Sequence, residues 1–230
     1  MVNEALPPLS FRRRRVTPED PERALILSYA PPAARPGLAA LLALDDVLGN
    51  ILRTTREPAL GEIRLTWWRD RLAALDSAPP PAEPALEAVA RDVLPHGVTG
   101  AALSIMAEGW APLLGPELDK PTLERFAERR GGVLFAAAGC VLGSGDALDP
   151  AGRGWALADL ARNLSDPAAA KAARELARPL LDQALAARWS RAGRPLGALA
   201  HLARLDLAGE RRVGAPRRVG RLLWHRLTGR

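Results

Sequence analysis

Glu57-Pro58-Ala59-Leu60-Gly61-Glu62-Ile63-Arg64-Leu65-Thr66-Trp67-Trp68-Arg69-Asp70 is the most informative stretch of this 230-residue chain. Pro58 and Gly61 predict a turn, after which Glu62 stands in a first helical turn, where its charge suits the positive end of the helix dipole. Helical spacing then brings Glu62, Arg69 and Asp70 near one another and sends Trp67 and Trp68 to adjoining faces. Two readings follow. In one, the stretch is a helix pinned by aromatic packing and salt bridges. In the other, Arg64 or Arg69 contacts a phosphate or a partner.

Working outward, proline and glycine cut the chain into segments of helical period. Helices are predicted from Pro21 to about Tyr29, from about Pro36 to Leu52, from Leu60 to Leu75, and over Pro84–Val93, Gly100–Leu114, Thr122–Gly143, Pro150–Leu164, Ala168–Ala192 and Pro195–Leu205. Leu38, Leu41, Leu42, Leu44, Val47, Leu48, Ile51 and Leu52 form one broad apolar face on the second. No alternating run of useful length argues for a strand. Hydrophobic residues make up 48% of the chain, dominated by Ala and Leu, so an all-α fold is expected. The organisation reads as a basic segment 1–17, a helical domain 18–208 and a basic tail 209–230.

Cys140 is the single cysteine, which excludes an internal disulfide and fits a reducing compartment. No apolar run is long enough to span a bilayer, and the N-terminus lacks a signal-peptide layout. The expectation is a cytoplasmic protein, soluble or attached peripherally to the inner membrane. The formal charge of +6 is concentrated in Arg12–Arg15 and in the tail after Glu210, which carries seven arginines and no acid. There Val219, Leu222, Leu223, Trp224 and Leu227 interleave with arginines, a pattern that suits either an anionic membrane surface or packing onto the domain. No nucleic-acid-binding module is recognisable. His96, His201 and His225 lack metal-ligand spacing and read as loop or helix-end residues, and Cys140 reads as core. Gly131, Gly132 and Gly139 predict close helix approach.

The Glu57–Asp70 stretch resembles the signature "EPxLGEIRLxWWRD" of bacterial squalene/phytoene synthase-like proteins, a group similar to the mitochondrial complex I assembly factors of the same superfamily. Asp20-Pro21-Glu22-Arg23, Tyr29-Ala30-Pro31, Phe126 to Phe135 and Gly152-Arg153-Gly154-Trp155 extend the resemblance from about Pro18 to Leu164. It implies an all-α, single-domain helical bundle of the isoprenoid synthase type with a central cavity. It also implies Mg²⁺-dependent condensation of two prenyl diphosphates, with the metal ions bridging diphosphate to two aspartate-rich motifs on facing helices.

Here both motifs are half-occupied. The first falls on Asp45-Asp46-Val47-Leu48-Gly49-Asn50, where Asp46 and Asn50 keep the i, i+4 geometry with an amide in place of one carboxylate. The second falls on Asp159-Leu160-Ala161-Arg162-Asn163-Leu164-Ser165-Asp166, where Asn163 replaces an aspartate and the last carboxylate shifts to Asp166. Carried over, Asp46, Asp159 and Arg162 are the catalytic candidates. Asp45, Asp46, Asn50, Asp159, Asn163 and Asp166 are the metal ligands, and Arg64, Arg69 and Tyr29 the substrate contacts. The expected protein is weakly catalytic or non-catalytic, with a binding or assembly role, for instance at a respiratory complex. The alternative is a working Mg²⁺-dependent prenyltransferase. Prenyl diphosphate or another lipid, a protein and a membrane surface are the expected partners, and nucleic acid is not.

Overall fold

Prolines open most of the helices, because the first helical position needs no N–H donor and suits the fixed φ of the ring. The computed structural model describes residues 20–55, 57–115, 118–209 and 213–230. The Arg12–Arg15 cluster, the segment 1–17, the Thr17-Pro18-Glu19 lead-in, and Glu210, Arg211 and Arg212 lie outside the described residues. Along the chain run α1 (Pro21–Leu27), α2 (Arg35–Thr54), α3 (Pro58–Ala74), α4 (Pro84–Asp92), α5 (Gly100–Trp110) and α6 (Lys120–Phe126). A π-helical turn (Ala127–Gly132) leads from α6 into α7 (Val133–Leu142). Then follow α8 (Leu148–Asn163), α9 (Pro167–Ala186), α10 (Arg194–Leu207) and α11 (Pro216–Thr228). Among the described residues there is no β-strand, so the all-α expectation holds.

Caps fix several starts. Asp20 accepts from the backbone N–H of Glu22 and Arg23, Thr99 from Ala102, and Asp119 from Thr122. Asp76, just beyond α3, accepts from Gly100 and Ala101 and so ties the end of α3 to the start of α5. The predicted helix over Ala168–Ala192 stops earlier, at Ala186, where the chain turns extended at Ala187.

The apolar face predicted on α2 is buried: Leu38, Leu41, Leu44 and Leu48 are fully enclosed. Each such leucine contributes about 1.5–3 kcal/mol through removal from water. In α3, Pro58 is already helical, so Pro58 and Gly61 do not form the expected turn. Gly61 instead faces Leu114, whose methyl groups would have to shift to admit a side chain, and Glu62 lies past the first turn. Trp68 is buried, whereas Trp67 is exposed, and their rings meet edge-on at 5.3 Å.

Gly131 does provide close helix approach, since a Cβ there would overlap the carbonyl of Gly152 on α8. Two other expectations fail. Cys140 is exposed on the outer side of α7 rather than in the core. His201 lies inside α10 rather than at a helix end, buried against His225 in the last turn of α11, with ring centroids 4.6 Å apart. The buried side of α11 is Arg218, Leu222 and His225. Packing therefore claims only part of the tail's apolar set.

Candidate functional site

A cleft of about 380 Å³ opens between α1, α2, α8, α10 and α11, with Trp110 and the π-turn at its base. Its walls carry six carboxylates (Asp20, Glu22, Asp45, Asp46, Asp159, Asp206) and five arginines (Arg23, Arg53, Arg130, Arg162, Arg218). Nearly balanced charge of this density is stable in a partly buried site only if the partners alternate.

They do alternate. Arg130 donates from Nε and Nη2 to the two oxygens of Asp45 at 2.8 and 2.7 Å, and from Nη2 to Asp159 at 2.9 Å. Asp159 accepts from Arg162 at 2.9 Å, and Arg162 donates onward to Asp206 at 3.0 Å. Asp206 accepts from Arg218 at 2.5 Å, and Arg218 donates twice to Glu22, each at 2.8 Å. Glu22 also accepts from the backbone N–H of Gly214 at 3.0 Å. Asp46 pairs separately with Arg23 at the cleft wall. Bidentate guanidinium–carboxylate contacts of this kind are the strong form of the ion pair.

Arg130 is 3% exposed and is clamped by aromatic faces. Its guanidinium carbon lies 4.3 Å from the Trp110 ring, 4.6 Å from Trp155 and 5.5 Å from Phe126. Cation–π attraction in this desolvated setting adds to the ion pairs.

The protonation behaviour follows from these contacts. Burial pushes the Asp159 carboxyl up, but the adjacent charges of Arg130 and Arg162 outweigh it and hold the group well below its ordinary range. Burial likewise opposes ionisation of Glu22, and Arg218 with the Gly214 N–H brings it below the usual value. Asp46 goes the other way. Burial raises it, Arg23 only partly offsets that, and Asp45 adds like-charge repulsion.

Of the residues singled out in the sequence, Asp45, Asp46, Asp159, Arg162 and Asn163 line this cleft. The other five are not brought to it. Asn50 is exposed on α2, and its carbonyl accepts from the Thr54 hydroxyl. Asp166 caps α9, accepting from the N–H of Ala168 and Ala169, so its carboxylate is committed to the helix start. Arg64 donates to the hydroxyls of Thr54 and Thr55 and clamps the end of α2. Arg69 pairs with its neighbour Asp70 at the surface. Tyr29 sits under Arg226, 5.1 Å from ring centroid to guanidinium, and so joins α1 to α11. Conversely Glu22, Arg23, Arg130, Asp206 and Arg218 are cleft residues the sequence reading did not select. No local signal marks Arg130 or Arg218, since the carboxylates they hold include ones 85 and 196 positions away.

The two aspartate motifs therefore do face one another, with Asp45 on α2 and Asp159 on α8 held to the same guanidinium. A family model of squalene/phytoene synthase matches residues 16–169. The chain belongs to the squalene/phytoene synthase family. No curated protein and no solved structure matches it.

The match covers the helices that carry both motifs and stops just inside α9, so α10 and α11, which supply Asp206 and Arg218, lie beyond it. Within the family's chemistry, Mg²⁺ would need several oxygen ligands at about 2.0–2.1 Å in octahedral order. Both oxygens of Asp45 are taken by Arg130, and those of Asp159 by Arg130, Arg162 and the Asn163 amide. Among the described residues no group of three or more His, Cys, Asp or Glu side chains is arranged to hold a metal ion. As arranged, this donor set does not fit Mg²⁺, because a buried cation already stands between the carboxylates.

Proposed function

We propose that this member of the squalene/phytoene synthase family is a non-catalytic or weakly catalytic binding or assembly module, in which a fixed guanidinium has replaced metal chemistry. The observation that carries the reading is Arg130 lodged between Asp45 and Asp159. Ionising an allylic diphosphate needs divalent charge delivered to the leaving group. A side-chain cation already neutralised by two carboxylates and covered by Trp110 and Trp155 does not supply it. The amides at Asn50 and Asn163 point the same way, since each removes a negative charge that would attract Mg²⁺. An assembly role, at a respiratory complex, is supported by the resemblance of Glu57–Asp70 to the assembly-factor branch.

The test is incubation of the purified protein with farnesyl or geranylgeranyl diphosphate and Mg²⁺, with titration calorimetry alongside. The expected result is no condensation product and no Mg²⁺-dependent diphosphate binding. A product that disappears in Asp46→Ala would establish the second reading, a Mg²⁺-dependent prenyltransferase. Asp46 is the observation in that reading's favour, because it retains a carboxylate on the cleft wall, paired with Arg23 and outside the Arg130 clamp.

A further inference from the structure

Helix α11 turns one face into the fold and leaves a second, apolar one exposed. Leu222 is fully buried with Arg218 and His225, and these hold the helix against α1 and α10 through Glu22, Asp206 and the Arg194 carbonyl. On the opposite side Leu223, Trp224 and Leu227 are 46%, 56% and 76% exposed. Helical geometry joins these three into one ridge, half a turn from Arg218. Arg226 falls on one flank of that ridge and Arg217 with Arg221 on the other. The described tail 213–230 carries five arginines and no acidic residue.

We propose that this ridge docks on an anionic phospholipid surface, with Leu223, Trp224 and Leu227 entering the headgroup–acyl boundary and the flanking arginines meeting lipid phosphates. An apolar ridge between cationic borders, lying along the surface, is the arrangement that suits an interfacial helix. Tryptophan is favoured at that depth, where its ring is half wet and half apolar. The charge pattern selects this occupant over a second copy of the chain. A two-fold contact through the ridge would bring arginine borders against arginine borders. Nor does a nucleic-acid backbone suit it, since the centre of the patch is two leucines and a tryptophan rather than the cationic and small polar groups that phosphate contacts use. Among the described residues no helix is long and apolar enough to cross a membrane, so the contact is peripheral. The helix reaches the surface already folded, since its inner side is fastened by buried ion pairs. Attachment then requires no ordering of the segment, a cost that a disordered amphipathic tail has to meet.

The experiment is co-sedimentation of the full chain with vesicles of phosphatidylcholine alone and of phosphatidylcholine mixed with phosphatidylglycerol. Sedimentation should be at least about tenfold greater with the anionic vesicles and should fall steeply in about 0.5 M salt. Trp224→Ser/Leu227→Ser should lower it about tenfold or more, and Arg217→Gln by several-fold, with unchanged thermal melting because all three side chains are exposed. Absence of sedimentation with anionic vesicles, or equal sedimentation of wild type and the double variant, overturns the proposal. So does binding that ignores both lipid charge and salt. None of these outcomes bears on the metal-free reading of the cleft.

Discussion

Arg130 holds Asp45 by two hydrogen bonds of 2.8 and 2.7 Å while both side chains are almost wholly shut off from solvent. The pair links the π-turn to α2 across 85 positions of sequence, and Asp159 of α8 joins it through the same guanidinium. Three structural elements thus meet on one cation.

Arg130→Met leaves Asp45 without its bidentate partner and Asp159 with Arg162 and the Asn163 amide. The expected loss is about 3–5 kcal/mol, the cost of an uncompensated buried charge, measured by urea denaturation. Adding Asp45→Leu should restore part of it, with a coupling of about 1–3 kcal/mol in the double-mutant cycle. Strict additivity would show that the pair contributes nothing as a pair.

The buried histidines make stability depend on pH. Burial pushes His201 down to about 3 and His225 down to about 4, with the charges of Arg221 and Arg194 adding to the effect on His225. The unfolded chain binds protons near pH 6.5 and the folded chain only well below that. Their contribution is therefore complete above about pH 6.5 and is lost as pH falls toward 4 and then 3. Each withdraws up to about 1.4 kcal/mol per pH unit in that window. Denaturation midpoints at pH 7.5, 6 and 5 should fall accordingly, and His201→Leu should flatten the slope. A midpoint constant from pH 7.5 to 5 would contradict the burial of the pair.

Gly131→Ala drives a methyl group into the carbonyl of Gly152. Forced separation of the π-turn from α8 should cost about 1–3 kcal/mol or more. Gly145→Ala is the control, because a Cβ there meets nothing within 4 Å; its effect should lie within about 1 kcal/mol of neutral. Thermal melting of the two variants separates them.

Arg218→Leu removes the cation shared by Glu22 and Asp206. Amide exchange in α11 should accelerate well before exchange in α8 or α9, since what remains on α11 is Leu222, His225, the Arg226–Tyr29 contact and bonds from Arg188 and Arg194 to its last carbonyls. Equal protection across all three helices would refute this ordering.

The helices were legible because proline and capping residues state where they begin, and the apolar rows of α2 state which side is buried. Asp45, Asp46 and Asp159 were legible as an opposed acidic set through the family resemblance, which puts two aspartate motifs on facing helices; helical period alone does not single them out. Arg130 was not, since its partners come from segments remote in sequence and no local pattern records a long-range pair. Asp166 was misplaced because an acid before Pro167 is also the mark of a helix start, and that local role claimed the carboxylate. Cys140 misled through its apolar neighbours, which line a helix with one side turned outward. The two histidines, 24 positions apart, meet only after α11 folds back onto α10.

The π-turn at Ala127–Gly132 divides one continuous helical rod into two rotational frames. The stretch ending at Phe126 and the stretch beginning at Val133 each keep their own angular phase, and the widened turn absorbs the difference. Loss of a single residue from it would return the turn to α geometry and leave the two flanking frames in place, while the residues inside the turn shift by one position. Here, then, a change of length is absorbed rather than passed along the rod, and a side chain it would displace is Arg130.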